Sequence, residues 1–422
     1  MIHYPKLGEL RLVHCSLSDT HIRSLFYSPS NFSNSLIILD LSSNMLTSST
    51  FQLLSNFSRN LQELYLSQNN IVLSSLVHST FPSLVILDLS YNKMTSSVFR
   101  GSFNFSSKLK NFYLKNYSIR DDSFLMSAIS ITNSSSSLAS LDLSSNLLKS
   151  SSIFYWLFNS TTNLRILEFF DNILEGPIPD GFGKVMNSLE VLDLSSNKIQ
   201  GEIPYFFGNM CILQSLDLSN NKLNGNISSF IQNSSWCSKQ VFQSLVLSDN
   251  QITDILPMSI GLLSELENLS LDGNFLEGDV TKSHLSNFSK LRYLFLSENS
   301  LSVNIVPNWV PPFQIIYLGL RSCNLGSSFP SWLQTQCSFF SPDISENRLN
   351  GSVPKWFWNN LHNVGHLYMS QNNLSGAIPN NISLKLFNRP SIFLNSNNFE
   401  GKIPQFLLQA SDLRLSDNKF SD

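Results

Sequence analysis

Apolar and polar positions alternate along this chain in a frame that returns at near-constant spacing, L-x-x-L-x-L-x-x-N-x-L. LEVLDLSSNKIQGEIPYFFGNM (189–210) is followed at 213 by LQSLDLSNNKLNGNISSFIQNS. Within each frame the L-x-L core has the two-residue period of a short strand, with its leucines on one face and its x residues on the other. The asparagine of the frame falls at Asn44, Asn69, Asn92, Asn146, Asn172, Asn197, Asn221, Asn250, Asn274, Asn299, Asn347, Asn372, Asn397 and Asn418. Three further frames carry Cys15, Tyr117 and Cys323 at that position, which makes 17 in all. Successive positions lie 21 to 29 residues apart.

One such unit cannot stand alone. Each frame buries about seven apolar side chains at roughly 1.5–3 kcal/mol apiece. Ordering about 25 residues costs roughly 1–2 kcal/mol each in backbone entropy. Stacked units share a continuous core. The period lies in the range of leucine-rich repeats. The pattern predicts an α/β-type repeat solenoid, a right-handed superhelix or horseshoe of about 17 repeats. Its strands form a parallel sheet on the concave face, about 4.8 Å apart. Residues 1–422 read as one solenoid without recognisable end caps. Asparagine suits the ladder position because its amide offers two donors and an acceptor to turn backbone. Cysteine is small enough to replace it. Tyr117 is not, and a local distortion is expected there.

Net charge is −3 and charged residues make up 14% of the chain, with no basic stripe, which argues against nucleic acid as a partner. The serine-rich run NSSSSLASLDLSSN (133–146) resembles low complexity, but the frame continues through it. The chain opens inside a repeat at MIHYPKLGELRLVHCSL and closes inside one at LRLSDNKFSD. Neither a signal peptide nor an apolar run long enough for a membrane helix is read in it. An interior piece of a longer protein, or a truncated gene, is the expectation.

Cys15 and Cys323 are expected as buried structural thiols. Cys211 lies ten residues before Asn221 and Cys237 thirteen before Asn250, at similar phase on adjacent coils, where a disulfide is geometrically possible. Cys337 has no such mate. N-x-S/T occurs thirteen times, at Asn31, Asn56, Asn104, Asn116, Asn133, Asn159, Asn226, Asn233, Asn268, Asn287, Asn350, Asn373 and Asn381. Asn, Ser and Thr are abundant, so the sequons permit a glycosylated ectodomain without establishing one.

Many frames continue into G-x-I-P or a near form: GPIP (176–179), GEIP (201–204), GSVP (351–354), GAIP (376–379) and GKIP (401–404). This resembles the plant-specific leucine-rich repeat. PNWVPPFQIIYLGLRSCNLGSSFPSWLQTQC (307–337), with the following NRLNGSVPKWFW, resembles plant receptor-like proteins of the ethylene-inducing-xylanase receptor group. The resemblance covers the whole chain, most clearly from about 164 onward. It implies a plasma-membrane receptor with extracellular repeats, one membrane helix and a short tail without a kinase. It also implies signalling in defence or development through a co-receptor kinase. Copies before 150 lack G-x-I-P, so a more irregular outer side is expected there.

Chemistry is scarce. HNVGH (362–366) spaces His362 and His366 as a helical metal pair would, but His366 falls on a strand and His362 in the turn before it. Asp121 and Asp122 read as a solvated loop. No phosphate-binding loop, nucleophile elbow or kinase set is present. Neither enzyme activity, cofactor nor metal is expected. Variation speaks for binding. The x residue between the strand leucines is acidic from Asp142 through Glu168 and Asp193 to Asp217, a row that would favour a basic partner. From 293 onward the face turns aromatic, and Tyr293, Phe295, Tyr317, His366, Tyr368 and Phe393 are the candidate ligand contacts. Rings that pack only on one another would give the same pattern. The reading is a protein- or peptide-binding receptor ectodomain. The alternatives are a secreted inhibitor of a wall-degrading enzyme, similar to polygalacturonase-inhibiting proteins, and a non-functional remnant.

Overall fold

The computed structural model describes residues 7–26, 35–57, 59–72, 81–93, 108–116, 118–120, 137–150, 153–154, 163–231, 237, 240–380, 386 and 389–421. Tyr117, Asp121 and Asp122 lie outside these residues, as do the sequons at Asn31, Asn104, Asn133, Asn159, Asn233 and Asn381. Two compact units are present, Met1–Gln200 and Gly201–Asp422.

Each unit is built on three-residue parallel strands, one per coil. In the first unit they run Glu9–Arg11, Ile38–Asp40, Glu63–Tyr65, Ile86–Asp88, Asn111–Tyr113, Ser140–Asp142, Ile166–Glu168 and Val191–Asp193. In the second they run Ser215–Asp217, Ser244–Val246, Asn268–Ser270, Tyr293–Phe295, Tyr317–Gly319, Ser341–Asp343, His366–Tyr368, Ser391–Phe393 and Asp412–Arg414. Register follows the leucine frame. Leu39 pairs with Leu64 and Leu64 with Leu87; in the second unit Leu245 pairs with Leu269 and Leu269 with Leu294. These central residues are almost fully buried. A slip of one residue would turn the whole row to solvent, so the register is strongly specified.

The ladder amides tie coil to coil. Asn274 Nδ2 donates to Leu247 O of the preceding coil at 2.9 Å, and to Leu271 O and Asp272 O of its own at 3.0 and 3.2 Å. Its Oδ1 accepts from the Ile252 amide at 3.0 Å. Cross-coil donation of this kind recurs at Asn44, Asn69, Asn92, Asn146, Asn172, Asn197, Asn250, Asn299, Asn347, Asn372, Asn397 and Asn418. Asn221 Nδ2 donates to Leu218 O and Ser219 O. The residue just before the ladder position adopts a left-handed backbone, as at Ser43, Gln68, Tyr91, Asp171, Asp249 and Glu346. That conformation costs a non-glycine residue roughly 1–2 kcal/mol, and the amide bonds it makes possible offset the cost.

Cys323 keeps the ladder with a thiol. It is buried, and its Sγ donates to Leu296 O at 3.2 Å. Cys15 differs from the expected buried thiol: it is exposed on the first described coil, where its Sγ donates to Val13 O of its own coil and not across to another. Cys211 and Cys237 form a disulfide, with Cα atoms 4.7 Å apart. Cys337 is an exposed free thiol.

Short lateral strands follow many ladder turns, both in coils with G-x-I-P and in coils without it. In the second unit Thr253–Ile255, Phe275–Val280 and Ser300–Val303 pair in parallel. So do Asn350–Ser352, Asn373–Ala377, Asn398–Gly401 and Lys419–Phe420. Gly176, Gly201, Gly351, Gly376 and Gly401 have φ between 75° and 91°. Glycine occupies this region without steric cost. Before 150 only isolated bridges such as Thr47 to Asn70 occur among the described residues.

Candidate ligand-binding surface on the strand face

The outward positions of the second unit carry a run of rings. Tyr293 and Tyr317 stack with centroids 5.4 Å apart, and Tyr317 meets Phe340 at 5.4 Å. Phe340 lies edge-on to His366 at 5.9 Å. His366 stacks on Tyr368 at 6.1 Å, and Tyr368 on Phe393 at 5.0 Å. The Arg414 guanidinium closes the run 4.5 Å above the Phe393 ring. All of these rings are half-buried. Phe295 makes no ring contact among the described residues and lies over Gly319, where a Cβ would stand 2.8 Å from its Cδ1.

Five of the six candidate aromatic positions are therefore joined in one run, and the ring that joins them is Phe340, which the repeat frame does not point to. Its signal was available in the next coil. Gly365, directly before the strand, is the space that the Phe340 ring occupies. Stacking between rings buries their faces and leaves edges and hydroxyls outward. Each such pair contributes about 0.5–1.5 kcal/mol beyond its area. The hydroxyls of Tyr293, Tyr317 and Tyr368 have no hydrogen-bond partner among the described residues. His366 Nδ1 is buried without a partner. His362 is exposed in the preceding turn, and no group of three or more His, Cys, Asp or Glu suited to a metal occurs among the described residues.

In the first unit the acids Asp142, Glu168 and Asp193 follow one another on successive strands. Asp142 is buried, with Lys115 Nζ 3.9 Å from its carboxylate. The same ammonium sits 4.1 Å over the Phe170 ring. Burial and the neighbouring Asp142, to which Glu168 hydrogen-bonds, push the Glu168 carboxyl up to about 7. Part of this row is thus neutralised, and its field is weaker than its composition suggests. Asp217, in the second unit, accepts from the amide and hydroxyl of Ser219.

Stacked strands, an amide ladder and short lateral strands define a leucine-rich-repeat fold, and the Leucine Rich Repeat family model matches residues 60–84, 188–210 and 213–234. Its sequence relatives are plant receptor-like proteins. The chain is 33% identical over 332 residues to Receptor-like protein EIX2 of Solanum lycopersicum, which covers 56% of this chain and 32% of that protein. It is 50% identical over 82 residues to Receptor-like protein EIX1 of the same plant, covering 19% of this chain and 8% of that one. The match thus spans about a third of the length of the first relative. In structure it is similar to the plant peptide hormone receptor RGFR1 in complex with RGF2, with a TM-score of 0.63, 24% identity, and coverage of 93% of this chain and 64% of that chain. That likeness establishes the fold alone.

Proposed function

We propose that this chain is the ligand-recognition part of a plant cell-surface receptor-like protein. It binds a protein or peptide on the strand face of its second unit, through Tyr293, Phe295, Tyr317, His366, Tyr368 and Phe393. The observation that carries this reading is the run of half-exposed rings from Tyr293 to Phe393, ending at Arg414. Half-exposed aromatic residues gathered on one surface are the usual anchors of an interface. The resemblance to the xylanase-receptor group adds the setting: an extracellular repeat domain that signals in defence or development through a co-receptor kinase.

The test is binding of purified microbial and plant secreted proteins and peptides to immobilised 1–422, compared with the triple variant Tyr317→Ala, Tyr368→Ala, Phe393→Ala. Loss of several anchors at roughly 1–2 kcal/mol each should weaken a strand-face ligand by more than 10-fold. A ligand held equally by both proteins would remove this face from the site.

A further inference from the structure

The flank of the second unit carries a pocket that the strand face does not share. Its volume is about 240 Å³ and its floor is made by Val303, Ile305, Leu325, Phe329 and Trp332. It opens where the lateral sheet is interrupted. The strand Ser300–Val303 ends one lateral sheet and Asn350–Ser352 begins the next. The coil between them forms no strand. In this coil the glycine stands one position earlier, three residues after the ladder residue Cys323 and not four as in Asn347 to Gly351. In the G-x-I-P coils proline follows glycine by three, as in Gly351 to Pro354; here Pro330 follows Gly326 by four, with the proline still seven residues after the ladder residue. Gly326 has a φ of 82°, and a Cβ there would meet nothing within 4 Å.

Three consequences bear on what the pocket takes. The amides of Gly326, Ser327 and Ser328 donate no hydrogen bond within the protein among the described residues, and all three residues are exposed, while Ser327 O accepts from the Asn350 amide of the next coil at 2.7 Å. No ionised side chain lines it. Val306 and Val310, which follow Ile305 in the chain, are 49% and 64% exposed. An interrupted sheet beside an apolar cavity is a place where an extended segment docks by its backbone and anchors one side chain. The volume is below the range of about 300–1,000 Å³ usual for small-molecule sites and suits a single bulky side chain.

We propose that this pocket is a second binding site, which takes one aromatic or branched apolar side chain carried on an extended segment of a partner polypeptide. Its carbonyls accept from exposed amides among residues 326–328. The proposal does not depend on the strand-face reading.

The test uses the 422-residue protein and the probe trifluoroacetyl-Thr-Val-Phe-Val-Thr-amide, read by ¹⁹F line broadening, which detects millimolar binding. Broadening is expected, at least 10-fold weaker for the probe with Ala at the centre and for the single residue trifluoroacetyl-Phe-amide. Ser328→Trp, at an exposed position of the rim, fills the mouth and should abolish it. Ser331→Tyr, also exposed, serves if that variant melts early. No broadening at 5 mM overturns the proposal. So does binding that survives both rim variants, or that is lost instead in Tyr317→Ala or Tyr368→Ala. Equal binding of the single residue overturns the extended-segment part.

Discussion

The ring of Phe340 occupies the space where residue 365 of the next coil would carry a side chain: a Cβ built on Gly365 would stand 2.5 Å from Phe340 Cζ. Gly365 does not have a left-handed backbone, so its role is room for a ring, not conformational freedom. Gly365→Ala should cost about 1 kcal/mol, at the low end of overpacking, because the half-exposed Phe340 can swing away. Swinging breaks its contacts with Tyr317 and His366. The expected signature is a modest fall in melting temperature with a larger loss of near-ultraviolet circular dichroism. In a Phe340→Ala background the same substitution should cost nothing, a coupling of about 1 kcal/mol. Additive losses in the double-mutant cycle would mean the two residues do not meet.

The two kinds of ladder residue should differ in worth. Asn274→Ala removes four hydrogen bonds and leaves the buried amide of Ile252 and the carbonyls of Leu247 and Leu271 short of partners. A loss of about 3–5 kcal/mol is expected. Cys323 supplies one principal bond, to Leu296 O, and burial pushes its thiol up to about 12, so it remains a protonated donor. Cys323→Ala should cost about 1 kcal/mol, most of it from the small cavity and one weak bond. Urea unfolding followed by far-ultraviolet circular dichroism compares the two. Equal losses would show that the amide network contributes little beyond filling space.

Much of this architecture is legible in the leucines. Strand positions such as Leu245, Leu269 and Leu294, and their pairing, follow from the frame because a half-buried strand needs one apolar face. Lateral strands such as Asn373–Ala377 and Asn398–Gly401 follow from G-x-I-P, whereas Thr253–Ile255 and Ser300–Val303 form without it. Other features have no marker in residue type. The left-handed position before each ladder residue holds Ser43, Gln68, Tyr91 or Asp171 as readily as Gly273, because the amide ladder, not the residue itself, stabilises that turn. The candidate ligand surface was visible as separate rings, but its continuity rests on Phe340, one residue outside the strand, and on a glycine in the next coil. The raised carboxyl of Glu168 within the acidic row has no marker in composition, because it comes from burial and from Asp142 on the neighbouring strand, which depend on how the coils stack.

That acid cluster makes the first unit sensitive to pH. Glu168 lies between Asp142 and Asp193 on neighbouring strands, with Lys115 as the nearby cation. Its carboxyl titrates at about 7 in the fold against an ordinary 4.5, chiefly through burial and then through Asp142. A carboxyl whose folded value is raised favours the fold while protonated. Its contribution is complete below about 4.5 and is lost as pH rises through about 7. The site is half-exposed, so screening reduces the effect to on the order of 1 kcal/mol. For a unit of this size that corresponds to about 2–4 °C in melting temperature. Glu168→Gln keeps the shape and a donor toward Asp142 at every pH. Wild type should therefore lose about 2–4 °C relative to the variant between pH 5 and pH 8, and the variant should lack that component. Parallel melting curves would show that Glu168 ionises as an ordinary surface carboxylate. A cationic segment placed on this row would favour the ionised form, so its binding should release a proton near neutral pH and tighten as pH rises toward 8.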